Sequence, residues 1–195
     1  MSNKSKNIFL RVCCHIIFIT YLICLIKIVL FKYRSLTTTV DKLIAGEKLS
    51  SGFHSFNIIP FQSIWEFTKL MFSGKFFRGF NNTAGNVFVF APFGYFIPLL
   101  YKKCRKLKTV VLAGFFVSLF FEICQYALYL GSADIDDIIL NVLGVTIGFL
   151  FFKGMIAITD KRETQRYVVT IILSIIGFIV AGYLAVDYFG VMFRI

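Results

Sequence analysis

The chain has 195 residues, of which 58% are hydrophobic and 16% charged, and its mean hydropathy is +0.80. Soluble domains run at about half apolar and about a quarter charged, which excludes a compact water-soluble fold. The apolar excess falls in unbroken blocks near the ~20 residues that a helix needs to cross bilayer hydrocarbon. The net charge of +11 sits mainly between those blocks, as topology signal and headgroup contact rather than as a nucleic-acid surface.

The first block, Val12 to Phe31, follows Lys4, Lys6 and Arg11 and closes on Lys32, Tyr33 and Arg34. It begins like a signal peptide but lacks a small-residue cleavage site, so a retained anchor is expected. His15 and Lys27 lie near its two ends and carry no assigned role, since Lys27 can snorkel to the interface. The cysteines, Cys13, Cys14, Cys24, Cys104 and Cys124, have neither metal-ligand nor disulfide spacing and read as small packing residues.

The loop from Lys32 to Thr83 is long and of mixed charge, and its His54 has no ligand partner at a telling spacing. Within it Phe61, Ile64, Trp65, Phe67, Met71 and Phe72 share one helical side, interrupted by Gln62, Glu66, Lys69 and Lys75. This predicts an amphipathic helix in the interface with Trp65 at headgroup depth; a helix capping the bundle fits the same pattern. The second block, Ala84 to Tyr101, contains Pro92 and Pro98. A kink at Pro92 is expected, with Gly94 adding slack, and a re-entrant segment is the alternative to a full crossing.

The third block, Val110 to Leu130, holds Glu122, a carboxyl that costs roughly 3 kcal/mol to place in an apolar span, so it must face the bundle. Ser118, Gln125 and Tyr129 extend its stripe at helical spacing. A tight turn, Gly131 to Asp137, leads into the fourth block, Ile138 to Ile158. There Asp137, Asn141, Gly144 and Gly148 recur at three- and four-residue intervals, and the glycines invite a close neighbour. If the turn is extended, alternation lets at most part of its acidic run face the site, and the dipole of the following helix accounts for Asp136 and Asp137 without any function. The fifth block, Tyr167 to Tyr188, presents Ser174, Gly177, Ala181 and Ala185 as a packing face.

Lys102, Lys103, Arg105, Lys106 and Lys108 form an acid-free loop, and basic residues also mark the N-terminus and the loop after the fourth block. The positive-inside bias therefore predicts a cytoplasmic N-terminus and an exterior C-terminus. The expected fold is an all-α membrane protein, a single domain over residues 1–195. About five transmembrane helices form it, with an exterior interfacial helix between spans one and two. Asn86, Glu122, Gln125, Asp136, Asp137 and Asn141 then gather in the outer half of the membrane. An intramembrane ionisable cluster is a functional-site candidate, and interhelical polar packing is the plainer account.

The combination of Asn57, Pro60 and Phe61, then Asn86, Phe90, Pro92, Gly94 and Pro98, then Glu122 and Gln125, then Asp134, Asp136, Asp137, Asn141, Gly144 and Gly148 resembles the VanZ-like family over about residues 57–151. The resemblance implies a small multi-pass protein of the bacterial cell membrane, in a family whose founding member is associated with low-level resistance to the glycopeptide teicoplanin. Some members carry an Arg before the acidic run, where this chain has Gly131 and Ser132, so an anionic-substrate scheme relying on that Arg does not carry over.

Three functions follow as expectations. The first is a non-enzymatic effector in which Asn86, Glu122, Gln125, Asp137 and Asn141 bind an outer-leaflet lipid, a cell-wall precursor or the glycopeptide's lipid tail. The second is an intramembrane enzyme on a lipid-linked or peptidoglycan substrate, with Glu122 as general acid or base and Asp136 and Asp137 holding a divalent cation. Transport ranks last, because the polar seam thins toward the cytoplasmic half.

Overall fold

In the computed structural model the described residues are 3–31, 44, 56–74, 76–159 and 162–192, with side chains up to residue 178 apart from 71 and 76–82. The loop residues 32–43 and 45–55, including His54, lie outside them, as do the side chains of Ala181 and Ala185. Six α-helices follow in order among these residues: α1 (Asn3–Leu30), α2 (Gln62–Phe72), α3 (Phe76–Leu100), α4 (Leu107–Ala127), α5 (Ile135–Ile158) and α6 (Glu163–Met192). Two short strands, β1 (Phe56–Asn57) and β2 (Ala133–Asp134), pair in parallel with Phe56 opposite Ala133 and Asn57 opposite Asp134. The chain divides into two compact units, one of Met1–Thr20 with Met155–Ile195 and one of Tyr21–Gly154.

Among the described residues four stretches are long and apolar enough to cross a membrane: Lys4–Leu30, Thr83–Leu100, Leu107–Ala127 and Ile135–Ile158. α6 is 30 residues long, about 45 Å at 1.5 Å per residue. The chain is thus an all-α, multi-pass membrane protein. Its large apolar side chains face outward in number, among them Ile16, Ile19, Ile23, Phe116, Phe120, Leu150 and Phe151, as helices dissolved in lipid require. α1 buries only a narrow stripe that includes Cys14, Phe18 and Leu25.

α3 begins at Phe76, earlier than the apolar block at Ala84, because the polar residues Asn81, Asn82 and Thr83 continue the helix instead of ending it. Its 25 residues span about 37 Å, ample for a full crossing. Neither Pro92 nor Pro98 interrupts it. Pro92 leaves the Phe88 carbonyl without its helical donor, and the next carbonyl, that of Val89, accepts the Tyr21 hydroxyl at 2.8 Å.

The centre of the second unit is a glycine seam between α3 and α5. A Cβ on Gly144 would stand 3.0 Å from the Val87 carbonyl carbon, one on Gly148 2.8 Å from that of Ala91, and one on Gly94 2.7 Å from that of Val145. Gly94 is therefore a contact residue rather than slack for a kink. On α4, a Cβ at Gly114 would meet Val145 Cγ2 at 2.6 Å, so three helices converge on the fully buried Val145. Around this seam pack Phe90 against Phe121, with centroids 6.3 Å apart, and Tyr95 against Phe152 at 6.2 Å. On the far side of the unit Arg105 donates to the Pro98 carbonyl at 3.2 Å and lies 5.7 Å from the Phe152 ring.

α4 ends in a Schellman turn. Leu130 N–H donates to the Gln125 carbonyl at 2.9 Å and Tyr129 N–H to that of Tyr126 at 3.2 Å. Tyr129 adopts φ 54 at the position where glycine usually stands. That turn places Gly131 to Ala133 so that the chain reverses directly into α5.

Candidate functional site

The acidic hairpin between α4 and α5 grips the segment that precedes α2. Phe61, the N-cap of α2, has φ 67 and offers no side-chain cap, which leaves the first N–H groups of that helix in need of acceptors. Asp136, with no exposed surface, supplies them: its two oxygens accept the N–H of Phe61 at 2.5 Å and that of Ile64 at 3.1 Å. A carboxylate at a helix N-terminus also meets the positive end of the dipole. Asp136 thus caps α2, a helix remote in sequence, rather than only its own.

Asp134 holds the same segment. Its carboxylate accepts the Ser63 hydroxyl at 2.5 Å, the Asn57 amide at 3.3 Å and the Asp136 N–H at 2.9 Å. Asn57 also donates to Ser63 at 3.0 Å and accepts the Ile59 N–H at 3.3 Å. Asp134 and Asp136 thus act on the same segment, since residues two apart share one side of an extended turn and Asp136 enters the first turn of α5 with its carboxylate still on the 61–64 backbone.

Glu122 is 3% exposed, and its Oε2 accepts the Asp134 N–H at 2.8 Å. The buried carboxyl thereby reaches the hairpin's backbone while Asp134's side chain reaches the 57–63 segment. Asp137 accepts the Asn86 amide from α3. Asn141 donates to Ser118 Oγ at 2.9 Å, joining α5 to α4. Gln125 turns elsewhere and donates to the Val29 carbonyl of α1 at 2.8 Å. Tyr129, past the helix end, is 48% exposed and does not extend the buried stripe.

Among the expected residues the structure links Asn86 with Asp137, Asn141 with Ser118 and Glu122 with the Asp134 backbone. Gln125 Oε1 and Asn141 Oδ1 are buried and lack a hydrogen-bond partner in the described structure. Among the described residues no group of three or more His, Cys, Asp or Glu side chains gathers in a metal-holding arrangement. Asp136, one proposed cation ligand, spends both oxygens on backbone N–H groups.

Beside these bonds lies an apolar groove of about 320 Å³. Leu119, Ile123 and Tyr126 of α4 form one wall, Ile135 and Ile138 of α5 the second, and Phe56 and Ile58 the cover, with Glu122 and Asp134 at the polar edge. Phe56 packs edge-on to Tyr126 with centroids 5.7 Å apart. A second, open cavity of about 560 Å³ adjoins it across Phe56, Asn57, Ile58 and Asp134, and is completed by Ile59, Gln62, Ser63, Glu66 and Ser132. Asn57, Ser63 and Asp134 are the functional candidates that pattern reading left outside the site. The spacing of Asn57 from Pro60 and Phe61 was the available signal, and its partner lies 77 residues away.

The VanZ/LLP1 family profile matches residues 18–158, a stretch that holds every bond of the hairpin and the glycine seam. The chain belongs to the VanZ/LLP1 family. It is also similar to Protein VanZ of Enterococcus faecium, with 27% identity over 157 residues that cover 80% of each chain. No solved structure matches it. Within this VanZ/LLP1 chain the motif residues divide by physical role. Gly94, Gly144 and Gly148 bring helices together, Asp134 and Asp136 fix the α2 segment, and Glu122 lines the groove.

Proposed function

We propose that this protein lowers susceptibility to glycopeptide antibiotics of the teicoplanin type by binding an amphiphile of the outer leaflet in the groove beside Glu122. The observation that carries the reading is a buried carboxylate at the edge of an apolar groove between two membrane-spanning helices. A carboxyl at that depth is costly in lipid, and a groove walled by Ile123 and Tyr126, both partly exposed on α4, is open to hydrocarbon. Family membership supports the resistance phenotype, and the basic loop Lys102–Lys108 supports an orientation with the groove at the exterior end. Binding is favoured over catalysis because Asp136, which the enzyme reading needs as a cation ligand, gives both carboxylate oxygens to the backbone N–H groups of Phe61 and Ile64.

The test compares teicoplanin with vancomycin susceptibility in sensitive bacteria expressing the native chain, Glu122→Gln or Glu122→Ala at matched membrane levels. The native chain is expected to protect selectively against lipid-tailed teicoplanin. Glu122→Gln keeps an oxygen for the Asp134 N–H and retains protection, whereas Glu122→Ala loses it. No protection from the native chain overturns the resistance reading, and protection that survives Glu122→Ala reduces Glu122 to packing.

A further inference from the structure

The groove and the cavity beside it differ in chemistry and share a boundary. The groove is walled almost entirely by apolar side chains. The adjoining cavity is lined by Gln62, Ser63, Ser132 and the carboxylates of Glu66 and Asp134. An apolar compartment opening into a polar one is the shape of a site for a chain with a head, since such pockets orient a ligand through a few polar groups.

The sign of the polar compartment is the informative feature. The chain carries 21 Lys and Arg against 10 Asp and Glu. The two compartments nevertheless gather three of those ten acids, Glu66, Asp134 and Glu122, and are lined by no Lys or Arg among the described residues. A phosphate or carboxylate head would enter against the like charge of these carboxylates, with no Lys or Arg among the described lining residues to receive it. Asp134 is already bonded to Ser63 and Asn57. Glu66 is exposed, with the Gln62 amide at 3.5 Å, and its carboxylate can only accept hydrogen bonds.

We infer that the paired compartments bind a membrane amphiphile whose head carries a protonated amine, its alkyl chain lying between α4 and α5 and its ammonium facing Glu66 and Asp134. The bilayer is the source, because Ile123 and Tyr126 of the groove wall are exposed on a membrane-spanning helix. This inference rests on the groove reading proposed above and adds the chemistry of the head.

The experiment uses the full chain in nanodiscs of zwitterionic lipid, without antibiotic. Two photoreactive probes of equal chain length are compared, a long-chain alkylamine and the corresponding alkyl carboxylate, and labelled peptides are mapped by mass spectrometry. The amine is expected to label peptides covering 56–66 and 119–138, with a preference over the carboxylate of about fivefold, as an ion pair near the surface provides. Glu66→Lys, at an exposed position outside the α2 clamp, is expected to abolish that preference. Ile138→Trp, which fills the groove, is expected to remove labelling by both probes. Equal labelling or preference for the carboxylate overturns the amine inference and leaves the groove reading standing. Absence of labelling in both peptides overturns both, and labelling unchanged by Glu66→Lys overturns the assignment of the head to this cavity.

Discussion

Removing the Asp136 carboxylate is expected to release α2 without unfolding the bundle. Asp136 accepts two backbone N–H groups at the start of α2, and hydrogen bonds to a charged group contribute about 1.5–3 kcal/mol each. The freed donors lie beside the exposed Phe61, where water can take over, so the lower figure applies to each. Asp136→Ala should then weaken docking of residues 57–72 by about 3 kcal/mol, roughly a hundredfold in the opening equilibrium. Hydrogen exchange resolved by peptide reads this directly: protection over 57–72 falls by about that factor while peptides of α3 and α5 keep theirs. Asp136→Asn retains one acceptor oxygen but turns an NH₂ toward the other donor, and should lie between native and Ala. Unchanged protection over 57–72 in Asp136→Ala, or equal loss across α3 and α5, would refute the capping argument.

Gly148→Ala should lower the unfolding temperature in detergent, because its Cβ meets the Ala91 carbonyl and overpacking costs about 1–3 kcal/mol. Gly154→Ala, with nothing within 4 Å of the new Cβ, should be neutral or slightly stabilising in the same melt. Phe61→Gly should preserve or raise exchange protection at the start of α2 by relieving a positive φ that costs about 1–3 kcal/mol for a bulky residue; a loss there would show that the side chain, not the cap, holds the turn. Gln125→Met removes one bond to Val29 and one buried oxygen without a partner, so its melting temperature should stay near native, whereas Gln125→Glu should depress it by burying a charge.

Much of this architecture is legible in the chain because lipid imposes it. The apolar blocks locate the helices, and Gly144 and Gly148 announce a close neighbour by their spacing alone. The identity of that neighbour is not readable: α3 supplies it through the carbonyls of Val87 and Ala91, and Gly94 answers from the other side. Within the polar residues, Glu122 is conspicuous since any buried carboxyl in a span must have a partner. One such partner is a backbone N–H in a two-residue strand, a group with no side-chain signature. Asp134 and Asp136 illustrate the same gap. Alternation and the local helix dipole are sound rules for a turn considered by itself, but both residues act on a segment more than seventy positions earlier.

The two halves of the candidate site are held by different forces. α3 and α5 press backbone to backbone through Gly94, Gly144 and Gly148, and Gly114 brings α4 to the same centre at Val145. Separating those helices means undoing the packing of the unit. The cover of the groove is a strap of a few residues, Phe56 to Ile58, attached by β1 pairing and by the polar bonds of Asn57, Ser63, Asp134 and Asp136. Such bonds are short-ranged and local, and water or a polar head can replace them one at a time. The strap is thus tied by pairing and polar bonds rather than by close helix packing, and Glu122, at the polar edge of the groove, is bonded to the backbone of the same hairpin that holds the strap.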